Sequence, residues 1–556
     1  MRLAAFLTAA FALAACTDPA PAAPSADDFK VTVFTNGTIY TGLADPVTVE
    51  GVVVGPDGRI IATIPPMSAD WGDDDGGITL VDLGGAVMFP GFTDAHAHLL
   101  GIGQRELTVN LEGTASIDEL VTRVEAELQG KAPGEILFGR GWIETGWPEG
   151  RMPSAADLDA VAPENPVILV RADGHALVAN TAALKAAEIY SLSADPEGGK
   201  VERGPDNLAT GIVIDNAMAP VLAMLAEPST EDVLKAYEVG ASTYAARGWT
   251  GVHNMSVDHM HAPLLKQLSE AGKLPLRLYN AFDENGYDLA KARDYETPTI
   301  TNRTVKLYMD GALGSRGALL IAPYTDRPDT SGLELLQIEA LHNLMMDAQE
   351  DGVQLAIHAI GDLANRRILD KFAELGYGPE LRWRIEHTQV LAPEDIARVG
   401  ALGLIASMQP SHAIGDLHFA PARLGLDRLR GAYAWASLIA SGAHLAGGSD
   451  APVEVGSPLI EFYAAVARKD LTGFTGEGWH PEEALTRQQA LALFTSGPAY
   501  AAFQEADLGT IEPGKWADFS VFDRDLMTVP EVDILTAKPV MSVIAGKVVW
   551  QAEPGE

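Results

Sequence analysis

Residues 87–98 read VMFPGFTDAHAH, an apolar run that leads directly into two histidines. Its length and apolar composition are typical of a buried strand. His96 and His98 are two positions apart, so on an extended strand both side chains lie on one face and can bind a single cation. Taken alone, the pair fits a metal site and two surface histidines equally well.

Seven more apolar, strand-like runs follow along the chain. They are centred near Thr250, Leu278, Leu307, Ile357, Ile385, Ala406 and Ala446. Strand-and-helix units of roughly 20 to 50 residues are what a parallel barrel with crossover helices requires. The sequence therefore predicts an α/β fold in which residues 89–505 form a (β/α)8 TIM-type barrel.

One interval breaks the spacing of these units. The stretch between Phe92 and Thr250 is several times longer than one strand and helix require. We therefore expect an insertion after barrel strand 1, at about residues 130–225, which forms a cap beside the mouth of the active site.

Both ends of the folded chain consist of short β-branched runs separated by turn signals, which are typical of strands and hairpins. These segments are residues 29–88 and 506–556. We expect them to form one small β-sandwich domain built from both chain ends. Two unrelated β additions are the alternative interpretation.

The first sixteen residues resemble a bacterial lipoprotein signal peptide. A short positive start precedes an apolar run that is too short to span a bilayer, and the run ends in Leu13-Ala14-Ala15-Cys16, a pattern similar to the lipobox. Residues 17–28 are rich in Pro and Ala and predict a tether. We expect an exported protein that is lipid-anchored through Cys16 at the bacterial envelope, facing the periplasm or the extracellular side. A buried structural cysteine is the alternative.

The chain is strongly acidic, with 76 Asp and Glu against 39 Lys and Arg and a formal net charge of −37. This balance excludes the basic surface that nucleic acid or anionic lipid headgroups require. We therefore expect a small-molecule substrate, no nucleic-acid partner, and contact with a membrane only through the N-terminal anchor. A homo-oligomer is compatible with the sequence. The acidity fits a solvated surface, and a preference for cationic substrates is the alternative.

Four further candidate metal ligands lie at the ends of later strands. Lys306 lies inside the apolar strand of TVKLYMDGALGSRGA, His358 follows VQLAI, His387 follows RWRIE, and Asp450 closes AHLAGGSD. Each has an ordinary explanation when taken singly: a snorkelling or paired lysine, a core histidine, or a turn-forming aspartate. Functional side chains of such barrels lie at the carboxyl ends of the strands, so these residues would meet His96 and His98 there. Together the six predict a site for two divalent cations, Zn, Mn, Ni or Fe.

The motifs FPGFTDAHAH, VKLYMDGALGSRGA, HAIGD, RIEHTQ and GGSDAPVE occur in this order. Together they resemble the amidohydrolase superfamily, specifically the amidohydrolase 3 group that includes N-substituted formamide deformylases, over nearly the whole chain from about Phe29. The resemblance implies that His96 and His98 bind the more buried metal, that Lys306 is a carboxylated bridge, and that His358 and His387 bind the second metal. It implies that Asp450 is the remaining ligand and the proton shuttle.

The same resemblance implies a catalytic activity. We expect hydrolysis of an amide or related carbon–nitrogen bond, other than an ordinary peptide bond, by a metal-activated hydroxide, with two zinc ions as the expected cofactors. A deaminase or a metallo-dipeptidase on the same scaffold is the alternative among enzymes. A non-catalytic binding lipoprotein is the alternative from another class.

Four other polar residues are candidate substrate contacts. They are Arg171 and His175 in the insertion, and Asp310 and Arg316 in the glycine-rich loop after strand 4. A structural salt-bridge role is the alternative for each of them. His253 either faces the pocket or fills the barrel. No pattern assigns a role to His259, His261, His412, His418 or His480.

Overall fold

A computed structural model describes residues 31–553, with gaps at residues 45–46, 66–76, 145–146, 173, 175, 193 and 197–198. The predicted signal peptide with Cys16, the tether and the candidate substrate contact His175 lie outside the described residues. No helix in the described part of the chain is both long enough and apolar enough to cross a bilayer.

The strands are numbered in chain order. They are β1 Val31–Tyr40, β2 Thr48–Val54, β3 Ile60–Ile64, β4 Ile78–Asp82, β5 Val87–Pro90, β6 Phe92–Ala97, β7 Val109–Asn110, β8 Leu137–Trp142, β9 Val167–Arg171, β10 Ala176–Ala179, β11 Gly199–Arg203, β12 Ala209–Asp215, β13 Trp249–Val257, β14 Arg277–Phe282, β15 Ile300–Tyr308, β16 Gln354–Ala359, β17 Arg384–His387, β18 Ile405–Met408, β19 His444–Gly447, β20 Phe519–Phe522, β21 Pro539–Ile544 and β22 Lys547–Gln551.

The α-helices lie mainly between the strands of the central part. They are Leu99–Glu106, Ile117–Leu128, Ala155–Asp159, Thr181–Ala186, Ala219–Leu222, Thr230–Arg247, Ala262–Glu270, Tyr287–Ala292, Ile338–Asp351, Asp362–Leu375, Pro393–Leu402, Pro410–Asp416, Ala420–Leu424, Trp435–Ala440, Pro458–Ala467, Arg487–Phe494, Ser496–Ala501 and Glu531–Ile534. Short 3-10 helices occur at Asn216–Met218, His259–His261, Glu284–Gly286, Pro379–Leu381, Leu426–Gly431 and Pro481–Glu483.

Eight parallel strands form a nearly closed barrel in the order β19-β18-β17-β16-β15-β14-β13-β6. Each predicted barrel strand lies in this sheet, so the expected TIM-type barrel is confirmed. The two outer strands meet through their carboxyl ends, where the Asp450 N–H donates to the His96 carbonyl oxygen at 2.7 Å. The Ser449 N–H also donates to Asp94 Oδ1 at 3.0 Å.

Strands from both chain ends share a second sheet, in the order β22-β21-β20-β5-β1-β2-β3 with β4 beside β1. The link between the two ends is the antiparallel pair of β5 and β20, in which Val87 faces Phe522 and Pro90 faces Phe519. Phe89 and Phe519 are fully buried in this region. One sheet therefore joins the two termini of the described chain, and its arrangement as a β-sandwich domain stays a prediction.

The segment between β6 and β13 forms a sheet of its own, in the order β11-β12-β10-β9-β8-β7. It spans Val109–Asp215 and therefore starts before residue 130, the expected first residue of the insertion. Trp142, Leu169 and Val178 are fully buried in its core. Its role as a cap over the active site stays a prediction.

Two helices that flank the first barrel strands pack at very short range. A Cβ atom at Gly103, in helix Leu99–Glu106, would lie 1.7 Å from the carbonyl oxygen of Ala236 in helix Thr230–Arg247. In the same contact, a Cβ atom at Gly240 would lie 2.5 Å from the Leu99 carbonyl oxygen. The two glycines therefore let the backbones touch, which fixes the helix that begins directly after His98.

We expect Gly103→Ala to lower the free energy of unfolding by about 1–3 kcal/mol, because the added methyl group must push two packed helices apart. The measurement is urea unfolding followed by circular dichroism. Glu127→Ala, at an exposed helical position, is the control and should leave the midpoint unchanged. Equal midpoints for Gly103→Ala and the wild type would show that this packing is looser than described.

Candidate metal centre

The ends of β6, β15 and β19 bring four of the predicted ligands together. Lys306 Nζ lies 3.3 Å from His96 Nε2. Asp450 Oδ1 lies 3.5 Å from His96 Nε2 and 3.0 Å from His98 Nε2. His96 and Lys306 are buried almost completely, at 0% and 1% exposure, so this group forms the floor of the site.

The two remaining predicted ligands complete the same cluster. The ring centroid of His387, at the end of β17, lies 4.7 Å from that of His96. The ring of His358, in β16, lies 4.4 Å from that of His387. The structure therefore gathers all six side chains at the carboxyl ends of the barrel strands.

Hydrogen bonds fix the orientation of three imidazoles. The Nδ1 atom of His96 is paired with Glu386 Oε2 at 2.6 Å, that of His98 with the Met255 carbonyl oxygen at 3.1 Å, and that of His387 with Gln409 Oε1 at 2.8 Å. Because each partner is an acceptor, each Nδ1 carries the proton, and Nε2 of the neutral His96 and His387 rings keeps its lone pair. This is the tautomer that a metal-binding histidine needs when Nε2 is the ligand atom.

A buried ion pair lies beneath His96. Arg384 Nε is 2.7 Å from Glu386 Oε1, and both side chains are fully buried. Arg384 also contacts His253 Nδ1 at 2.7 Å and donates to the Ala95 carbonyl oxygen at 2.6 Å. Glu386 therefore keeps a charge-compensated carboxylate against His96. His253 is 2% exposed and belongs to this support, so it fills the barrel.

The electrostatics of the site suit cation binding. Burial, followed by the nearby Lys306, lowers the pKa of His96 well below its ordinary value, and burial does the same for His358 and His387. Burial opposes ionisation of Asp450, but the neighbouring histidines outweigh it and hold the pKa of this carboxyl well below its usual range. Burial thus favours the neutral imidazoles of His96, His358 and His387 beside an ionised Asp450, and imidazole nitrogens with a carboxylate are the ligands that Zn and related divalent ions prefer.

Two groups of ligand atoms are close enough to hold an ion. His96, His98 and Asp450 form one, and His387, His412 and Asp450 form the other, with the ligand atoms of each group within 4.8 Å of one another. The buried Nε2 atom of His412 has no hydrogen-bond partner among the described residues. A cation would satisfy such an atom, so the residues fit a metal site.

His412 is the site residue that sequence reasoning missed. It lies in helix Pro410–Asp416, directly after β18, and its Nε2 is 3.6 Å from Asp450 Oδ2. Its ring stacks on that of His387 with 5.9 Å between centroids. The one sequence signal is that it lies four residues after an apolar strand, but its place on a helix hides the direction of its side chain.

Tyr308 forms a wall of the site mouth. It lies two residues after Lys306 on β15, so both side chains face the same side of the strand. Its ring centroid is 4.7 Å from Lys306 Nζ and 5.4 Å from the His358 ring, and the residue is 38% exposed.

The other predicted contacts have structural partners. Asp310 is fully buried and accepts hydrogen bonds from the backbone N–H groups of Leu319, Ile360 and Gly361, and burial raises its pKa to about 7. Arg316 pairs with Asp326 and Arg171 pairs with Glu144, each at 2.8 Å. These contacts match the salt-bridge alternative for the two arginines. Substrate contact by any of the three stays a prediction.

A third group of possible ligands, away from the barrel cluster and more exposed, consists of Asp258, His259 and Asp283. Asp258 Oδ1 accepts the Met260 N–H at 2.9 Å, and Asp283 Oδ1 accepts the Gly286 N–H at 3.0 Å. Both carboxylates thus cap 3-10 helices, and this capping role accounts for them.

Comparison with known proteins gives a consistent result. Residues 79–550 match the model of the amidohydrolase family. The chain is 31% identical over 527 residues to the amidohydrolase YtcJ of Bacillus subtilis, covering 93% of this chain and 99% of that protein. It is 28% identical over 480 residues to the N-substituted formamide deformylase of Arthrobacter pascens. That match covers 80% of this chain and 85% of the deformylase.

A solved structure with the same overall fold is that of an uncharacterized metal-dependent hydrolase from Pyrococcus horikoshii OT3. The TM-score is 0.73 at 30% sequence identity, and the match covers 90% of this chain and 99% of that one.

We expect Glu386→Gln to weaken metal binding about 10- to 100-fold, because the His96 imidazole loses the charged acceptor that orients it. Chelator competition on the purified protein measures the affinity, and circular dichroism confirms that the variant is folded. Glu477→Gln removes an exposed carboxylate and serves as the charge-matched control. If the folded Glu386→Gln protein retains wild-type affinity, Glu386 does not support the metal ligand.

Proposed function

The chain belongs to the amidohydrolase family, and on that premise we propose that it hydrolyses an amide or related carbon–nitrogen bond of a small molecule, other than an ordinary peptide bond. The family and its metal-dependent hydrolase neighbours support hydrolase activity. The observation that carries the proposal is the convergence of His96, His98, His387 and Asp450 at the carboxyl ends of the barrel strands.

The proposed cofactors are two zinc ions, with Mn, Ni or Fe as alternatives. The six sequence-predicted residues would hold them, and His412 is placed to assist. A bound divalent ion lowers the pKa of a water molecule to around 7 and polarises the scissile carbonyl. Lys306 is buried 3.3 Å from the His96 Nε2 atom, where an ammonium group would repel a cation. Carboxylation of Lys306 turns this side chain into an anion and removes the repulsion.

Asp450 is the proposed proton carrier. Its Oδ1 atom is engaged by His98 at 3.0 Å, while Oδ2 faces His412 at 3.6 Å. The carboxyl has a pKa well below its usual range and is therefore ionised. Asp450 takes up the proton of the attacking water at a carboxylate oxygen and passes it to the leaving amine.

The surrounding residues position these groups. Glu386, compensated by Arg384, fixes the tautomer of His96. Asp310 ties the loop after β15 to the turn after β16 through its three backbone N–H partners, and so holds the mouth in shape. The half-exposed ring of Tyr308 covers Lys306 and limits the access of solvent to it.

We expect Asp450→Asn to lower kcat by at least about 100-fold, because the amide cannot carry the proton. The test combines metal analysis of the purified wild type and variant with a panel of N-formyl, N-acyl and dipeptide amides, and it follows release of the carboxylate and of ammonia. His96→Ala should lose both metal and turnover.

Full activity of Asp450→Asn on every substrate found would contradict the proposed mechanism. Ammonia release from an aminated heterocycle, without carboxylate, would identify a deaminase instead. Wild-type protein purified without metal would favour a binding lipoprotein.

We also propose, from the sequence of residues 1–28, that the protein is exported and lipid-anchored through Cys16. Cys16→Ala should move the protein from the membrane fraction to the soluble fraction and abolish incorporation of labelled palmitate. The proposed anchor would be contradicted if Cys16→Ala fractionated like the wild type and the wild-type protein incorporated no labelled palmitate.

A further inference from the structure

The loop after β19 presents a second carboxylate to the metal centre. Glu454 lies four residues beyond Asp450, and its Oε1 atom is 4.0 Å from His412 Nε2. The same imidazole nitrogen lies 3.6 Å from Asp450 Oδ2. One histidine nitrogen therefore lies close to both the proposed proton carrier and Glu454.

The backbone of this loop is held rigidly from below. The guanidinium of Arg105, which is fully buried, donates to the carbonyl oxygens of Glu454 and Val455 at 3.1 and 3.3 Å. Trp249 Nε1 donates to the Gly456 carbonyl oxygen at 2.9 Å, and Arg247 also binds the Val455 carbonyl. Because these contacts use only main-chain oxygens, the loop is fixed while the Glu454 carboxylate is left for another partner.

No lysine or arginine of the described residues lies within 4.0 Å of that carboxylate. Arg105 forms its ion pairs with Glu106 and Glu112 instead. The side chain of Glu454 is 29% exposed, so it reaches the solvent-connected mouth of the site. The buried His412, at 9% exposure, turns an Nε2 atom without a hydrogen-bond partner towards the same space.

A second carboxylate adjoins Glu454 at this end of the site. Asp450 Oδ2 lies 3.6 Å from His412 Nε2, the same atom that Glu454 Oε1 approaches. A partly exposed carboxylate without a lysine or arginine partner can accept hydrogen bonds from a cationic group. The geometry therefore favours a cation at the end of the site that adjoins Asp450.

We infer that Glu454 is a specificity-determining residue that binds a cationic group on the leaving-amine side of the substrate. The inference rests on the proposed function, because Asp450 delivers its proton to the leaving amine and thus marks the side on which the amine lies. The substrate class is an amide of a diamine, in which a free ammonium group is a short chain away from the scissile nitrogen.

The experiment compares three amides that differ only at their far end. N-acylethylenediamine, N-acylpropylamine and N-acyl-β-alanine end in an ammonium, a methyl and a carboxylate group, and each is prepared as the formyl and the acetyl amide. We expect kcat/KM of the wild type to fall in that order. In Glu454→Gln the ratio between the ammonium and methyl substrates should fall about tenfold, mainly through KM.

The control is Glu477→Gln, an exposed position that changes the net charge equally and should retain the wild-type ratio. A wild type without preference for the ammonium amide, or a Glu454→Gln variant with the wild-type ratio, would overturn the inference while leaving the proposed hydrolase intact.

If the wild type hydrolyses none of these amides, the proposed function is wrong for this class of substrate. Isothermal titration calorimetry with the same amides then tests charge recognition by itself. Tighter binding of the ammonium amide to the wild type but not to Glu454→Gln supports the inference, and equal affinities overturn it.

Discussion

The contact on which the site depends is the hydrogen bond from the Asp450 N–H to the His96 carbonyl oxygen, 2.7 Å long. It joins the last strand of the barrel to the first, and it holds Asp450 in a left-handed backbone conformation with a φ of +60°. Gly448 permits this approach, since a Cβ atom there would lie 2.4 Å from the His96 nitrogen. The same hydrogen bond therefore closes the barrel and brings Asp450 into the ligand cluster.

Much of this arrangement could be predicted from the sequence because it depends on local pattern. Apolar runs of strand length, each followed by a histidine, aspartate or lysine, place those side chains at one end of a parallel barrel whatever their separation along the chain. Lys306 was recognisable because an ammonium group is rare inside an apolar strand. His358 and His387 were recognisable because each ends such a strand.

The rest depended on contacts between distant parts of the chain. Glu386 and His96 are paired across the barrel, and the sequence near either residue does not indicate that the other is its partner. His412 lies on a helix and Glu454 lies in a loop. There the direction of a side chain follows from packing, and not from the alternation of side chains that a strand imposes. Asp310 and Arg316 lie in a loop rich in glycine, and only the folded structure shows that their partners are backbone N–H groups and Asp326.

The pairing of β5 with β20 has a consequence for the order in which the chain can fold. The strand Val87–Pro90 leads directly into the first barrel strand, yet its antiparallel neighbour is Phe519–Phe522, more than four hundred residues later. During synthesis this edge of the sheet stays unpaired until nearly the whole chain has emerged, and such an edge is a template for aggregation. The strands β20 to β22 can therefore complete this sheet only after the barrel strands, which lie between β5 and β20 in the sequence, have been made.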